Sequence, residues 1–83
     1  MTDSATIYQV QRDALSVAWG GGMPMSGVEK CRFAVSMLRA AKEAGATPDQ
    51  AWHTLEIIVR ETPGLSYNQD DYNFIKFAAS GIF

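Results

Sequence analysis

The residues best suited to chemistry are the one histidine and the one cysteine of the sequence. Asp49, His53 and Glu56 follow the spacing i, i+4, i+7, which places them on one side of a helix, where they could hold a metal ion. A single helix offers only this set, and the sequence contains no second cluster of histidine or cysteine to complete the coordination shell. Glu56 and Arg60 are also spaced as a helical ion pair. We therefore interpret these residues as a charged outer helix face, and we predict no metal site and no cofactor.

A thiol nucleophile would have to combine Cys31 with His53. Cys31 lies among apolar residues, between Val28 and Ala34, and a cysteine in that setting packs as a small hydrophobic side chain and is unreactive. No serine has the nucleophile-elbow pattern, and no set of titratable residues converges on one place. We predict no catalytic residues and expect that the protein is not an enzyme.

Residues 20–27 form a glycine-rich segment that precedes a predicted helix, as phosphate-binding loops do. The segment does not have the GxxxxGK[ST] spacing, and no predicted strand leads into it. We interpret it as a linker. An alternative remains open, in which Met23 and Met25 present adaptable apolar side chains to a partner.

Start and stop signals divide the chain into helices. Ser26 with Glu29, and Thr47 with Gln50, form capping-box patterns, and either Ser66 or Asn68 is expected to cap a last helix. Glycines 20–22, Gly45, the pair Pro63-Gly64 and Gly81 are typical helix ends. The sequence therefore predicts an all-α, compact four-helix domain that spans residues 1–83, with helices at about 4–19, 27–44, 48–61 and 68–80. Helix 2 is apolar over most of its circumference, so we expect it to be the central helix.

The composition of the chain limits the class of protein to which it can belong. The chain has 83 residues, of which 47% are hydrophobic and 19% are charged, and this balance excludes a disordered polypeptide. A lone cysteine cannot form an intrachain disulfide, and no signal peptide or membrane-spanning apolar run is visible. We expect a cytoplasmic protein with no membrane partner.

A net charge of −2 argues against nucleic-acid binding. The alternative function that the sequence leaves open is nevertheless a DNA-binding regulator, in which helices 3 and 4 imitate a helix-turn-helix. Against it, helix 4 opens with two aspartates and has Lys76 as its only cation.

Three of the four predicted helices carry more apolar surface than one neighbour can cover. Helix 1 shows two apolar stripes, the first formed by Ile7, Val10, Ala14, Val17 and Ala18, and the second by Tyr8, Leu15 and Trp19, with Gln11 between them. Small domains expose some apolar surface in any case, but exposed aromatic residues are less usual. The partner-binding residues predicted from this surplus are Tyr8, Leu15, Trp19, Met23, Met25 and Ile57.

The leading functional hypothesis is a non-enzymatic protein–protein interaction module, acting as an inhibitor or adaptor of a larger partner protein, or as a homodimer. In size and helical character the chain resembles small phage- or mobile-element-encoded accessory proteins, and this resemblance implies a role on host machinery. An acidic-aromatic cluster at the start of helix 4, which includes Asp70 and Asp71, fits either a docking surface for a basic partner or ordinary helix capping.

Overall fold

The computed structural model describes residues 2–20 and 26–83. Within these residues the chain forms four α-helices and no strand, which confirms the predicted all-α four-helix fold. Their bounds are α1 Ser4–Trp19, α2 Gly27–Glu43, α3 Pro48–Glu61 and α4 Gln69–Ser80. None of the described helices is long and apolar enough to cross a lipid bilayer.

Local capping explains where the helices begin. The side chains of Asp3 and Ser26 accept hydrogen bonds from backbone N–H groups in the first turns of α1 and α2. Thr47 and Asn68 form full capping boxes at α3 and α4, so Asn68, one of the two predicted candidates, caps α4. Since caps act within three residues, the sequence predicts these starts to within one residue.

Helix α2 lies at the centre, as predicted. It packs against α1, α3 and α4, whereas α4 packs closely against α2 alone. Its buried residues form one broad face, wide enough to contact more than one neighbour. The fully buried large side chains of the core come from all four helices: Ile7, Gln11, Met37, Leu38, Leu55, Ile58 and Ile75.

The face that α1 turns inward differs from the prediction. The buried residues are Ile7, Gln11 and Leu15, at spacing i, i+4, i+8. Val17, which was expected on the inner stripe, is 84% exposed. Gln11 occupies the middle of the buried stripe. Because Gln11 is polar, the prediction assigned the buried face of α1 to the apolar residues beside it.

The start of the chain is attached to the turn between α2 and α3. The Thr2 hydroxyl donates to the carbonyl of Ala44, and the Gln50 side chain donates to the carbonyl of Thr2. Gly45 in this turn has φ +92°, and a Cβ at that position would lie 2.9 Å from the Thr2 hydroxyl oxygen. Glycine is therefore required there both by the backbone conformation and by the close approach of Thr2.

Candidate functional site

Three of the exposed large apolar side chains of the described residues lie together where α4 is beside the start of α2. Phe77 is 81% exposed, Val28 is 61% exposed and Phe74 is 55% exposed. We call these three residues the apolar patch. Exposed phenylalanine is unusual in a protein surface, and a contiguous apolar patch marks an interaction site.

The orientation of α4 explains this exposure. Ile75 and Ala79 are one turn apart and are buried, which fixes the side of α4 that faces α2. Phe74 and Phe77 are also one turn apart, but on the side of the helix that faces away from the core. Because α4 has no second close helix neighbour among the described residues, nothing described covers that side.

A shallow groove of about 300 Å³ runs between the starts of α2 and α4. Its lining combines apolar side chains with carboxylates, and it includes two of the three residues of the apolar patch. The lining residues are Gly27, Val28, Cys31, Asp70, Asp71 and Phe74. The groove is thus apolar in its walls and acidic at its edge.

The two aspartates of this groove differ in their roles. Asp71 belongs to the α4 capping box, where its Oδ2 accepts from the backbone N–H of Asn68 at 3.1 Å. Its Oδ1 also lies 3.9 Å from the Cys31 sulfur, which donates to it. The Asp70 side chain is exposed and makes no hydrogen bond or ion pair with the described residues. Asp71 therefore has a structural role, while the Asp70 carboxylate remains available to a partner.

Cys31 lines the inner wall of the groove but is buried within the core. Burial raises the pKa of the Cys31 thiol, and the negative charge of Asp71 raises it further. A raised pKa keeps the sulfur protonated at neutral pH, and a protonated thiol is a poor nucleophile. The structure thus gives Cys31 the packing role that the sequence indicated.

Trp19, which the sequence predicts as a partner contact, is half-buried at the end of α1. Its ring stacks on Phe33 of α2, with ring centroids 5.6 Å apart and planes 13° apart. Trp19 separates two surface grooves, one of about 380 Å³ beside α3 and one of about 430 Å³ beside α2. Its role as a partner contact stays a prediction, since the ring also covers a core side chain.

The other predicted partner residues have different positions. Leu15 is 5% exposed and belongs to the core, so its predicted place on an outward stripe is wrong: the buried stripe of α1 runs through it. Tyr8 is half-buried, and its hydroxyl donates to the Glu61 carboxylate at 2.5 Å, which raises the pKa of Tyr8. Ile57 is half-buried on α3. Met23 and Met25 lie outside the described residues.

The polar residues considered as metal ligands do not come together in a binding site. Asp49, His53 and Glu56 are exposed on α3, as expected for a charged outer face. Among the described residues, no group of three or more His, Cys, Asp or Glu side chains is arranged to hold a metal ion.

Helices α3 and α4 do not form the compact pair of a helix-turn-helix. Each packs against α2, and their backbones do not approach each other. A groove lined by Glu56 and Val59 of α3, Tyr72 of α4 and the connecting segment separates them. The DNA-binding alternative stays a prediction that this arrangement does not favour.

Sequence reasoning missed the apolar patch, although one signal was present. Phe74, Ile75 and Phe77 cannot all face the same neighbour on a helix, so at least one phenylalanine had to face elsewhere. Which side of α4 faces the core depends on its contact with α2, and the sequence pattern alone does not specify that contact.

Comparisons of this chain with protein-family models, with curated proteins and with solved structures found no match.

Proposed function

We propose that this protein is a non-enzymatic helical interaction module, an inhibitor or adaptor that acts by binding a larger protein through the apolar patch. The observation that carries the proposal is the exposure of Phe77 and Phe74 on the outward side of α4. Side chains of this size release substantial free energy when they leave water, on the order of 1.5–3 kcal/mol each for full burial. A partner that covers them gains the share of that energy that belongs to their exposed surface.

The fold also supports this use of α4. The core is filled from the opposite side of the helix by Ile75 and Ala79, so Phe74 and Phe77 contribute little to folding. Large apolar residues that are dispensable for the core and exposed to water are typical anchors of an interface. Val28 extends the apolar patch onto α2, so a partner would contact two helices at once.

The test removes the two phenylalanines without disturbing the core. In a Phe74→Ser/Phe77→Ser double variant, we expect the melting temperature to change by only a few degrees, because exposed substitutions usually alter stability by less than about 0.5 kcal/mol each. Wild-type and variant proteins are immobilised and exposed to an extract of the source cells, and captured proteins are quantified by mass spectrometry. A protein captured by wild type is then purified, and its affinity is measured directly.

Val17→Ser is the matched control, because Val17 is as exposed as Phe77 but lies on α1. The proposal expects the double variant to weaken binding of the purified partner by at least about tenfold, and Val17→Ser to leave it unchanged. Equal binding by wild type and double variant would show that the apolar patch is not the interface.

A further inference from the structure

We infer that the partner segment that covers the apolar patch is basic and amphipathic, such as a helix of another protein with an apolar stripe flanked by lysine or arginine. This inference rests on the proposed function and adds the chemistry of the partner to it. The groove that continues the apolar patch carries Asp70 and Asp71 at its edge. Apolar anchors would enter between Val28 and Phe74, and the flanking cations would meet these carboxylates.

The charged residues that line the groove are of one sign. None of the described residues that line the groove is basic, and residues 21–25 contain no charged residue by sequence. Lys30, the nearest cation of α2 in sequence, donates its Nζ to the carbonyl of Ser66 at 3.2 Å. Lys76 precedes Phe77 directly, and the helical repeat turns it about 100° away around α4. The Asp70 carboxylate forms no ion pair within the described part of the chain.

This charge distribution argues against a second copy of the chain as the occupant. In a two-fold symmetric pair, each patch would face its own counterpart. The interface would then gather the Asp70 and Asp71 carboxylates of both copies, with no basic side chain lining either groove. Like charges across an interface cost binding energy, and the same repulsion disfavours nucleic acid and anionic lipid surfaces.

Two synthetic peptides test the inference directly. Both form an 18-residue amphipathic helix with a leucine stripe, and the polar positions are lysine in one peptide and glutamate in the other. Fluorescence anisotropy of labelled peptide measures binding to the full chain at low and high salt. We expect the lysine peptide to bind at least about tenfold more tightly than the glutamate peptide, and the difference to shrink as salt screens the carboxylates.

Two matched variants distinguish the effect of a carboxylate in the groove on peptide binding from the effect of the net charge of the protein. Asp70→Asn removes one carboxylate at the second position of α4, and Asp49→Asn removes one at the second position of α3. We expect Asp70→Asn to weaken the lysine peptide roughly threefold at low salt and Asp49→Asn to leave it unchanged. We expect Phe77→Ser to weaken it about tenfold or more, and Val17→Ser to have no effect.

Each outcome decides between the two proposals. If both peptides bind equally and Phe77→Ser weakens both, the apolar patch is an interface but its partner is not selected by charge, which overturns this inference and keeps the proposed function. If sedimentation shows a dimer of the wild type that Phe77→Ser dissociates, the occupant of the apolar patch is a second copy of the chain, which overturns both this inference and the larger partner of the proposed function. Equal effects of Asp70→Asn and Asp49→Asn, or no binding of either peptide, would overturn the inference and leave the proposed function to the capture experiment.

Discussion

Gln11 shows how one polar side chain can hold three helices together. It has no exposed surface, and its Nε2 donates to the carbonyls of Met37 in α2 at 3.2 Å and of Ala51 in α3 at 3.1 Å. Both carbonyls lie within helices, so the amide bonds to groups that also serve the helical ladder. Its Oε1 is buried without a hydrogen-bond partner among the described residues. The amide thus combines two favourable contacts with one unsatisfied oxygen.

Two substitutions of Gln11 show separately how much the volume and the polarity of its side chain contribute to the free energy of unfolding. Gln11→Met keeps the length of the side chain and removes the unpaired oxygen, so we expect the free energy of unfolding to stay within about 1 kcal/mol of wild type. Gln11→Ala leaves a cavity and should lower it by about 2–4 kcal/mol. Urea denaturation measures both variants. A methionine variant as unstable as the alanine variant would show that the hydrogen bonds of the amide, and not its volume, hold α1 in place.

At Gln11 the sequence could not predict the structure, for a physical reason. A buried glutamine is recognised only through the carbonyls it reaches, and those belong to residues 26 and 40 positions away. Leu15 was misplaced for the same reason, since it lies one turn after Gln11 on the same buried stripe. By contrast, the apolar pattern of α3 predicts an inward face of Ala51, Trp52, Leu55, Ile58 and Val59. Ala51, Leu55 and Ile58 are indeed buried, together with the polar Thr54.

Among the helices, α4 is the one with the least support, since it packs closely against α2 alone. Its start depends on the capping box, in which the Asn68 side chain accepts from the Asp71 N–H at 2.8 Å. The bounds of such a helix follow from its local caps, which is why the sequence predicts them. The local caps do not predict which face of α4 is exposed, because the contact with α2 determines that face.

Loss of the cap should loosen α4 more than the other helices. Asn68→Ala removes the acceptor of the Asp71 N–H, and we expect a loss of about 1 kcal/mol of stability. Because α4 has one helix neighbour, hydrogen exchange should accelerate in the amides of α4 before it does in those of α1, α2 and α3. Asn68→Asp, which keeps a capping oxygen, is the control. Uniform acceleration along the whole chain would show that α4 does not open independently.

Two half-buried tyrosines connect the stability of the whole molecule to alkaline pH. Tyr67 packs beside α2 and donates its hydroxyl to the carbonyl of Lys30. Burial raises the pKa of Tyr67 well above its usual value, with the nearby Cys31 adding to the effect. Burial also raises the pKa of Tyr72, and the charge of Glu56 adds to it. The folded protein therefore keeps these protons to higher pH than the unfolded chain does.

The sign of the pH dependence follows from this difference. The unfolded chain loses tyrosine protons near pH 10, and above that pH it binds fewer protons than the folded state. Stability from this source is complete below about pH 10 and decreases as the pH rises through the folded-state pKa. Urea midpoints measured between pH 8 and about 11.5 should fall above pH 10 in wild type. In Tyr67→Phe the decrease should be shallower, and an unchanged slope would exclude Tyr67 as its cause.

The one-sided attachment of α4 also affects how this protein can change over time. Positions such as 70, 73 and 77 face away from the core, and exposed substitutions there cost little stability. New side chains can therefore be tried at these positions while Ile75 and Ala79 keep the helix in place. A lineage of such proteins can therefore change its outward surface by altering a few residues, while the same scaffold is kept.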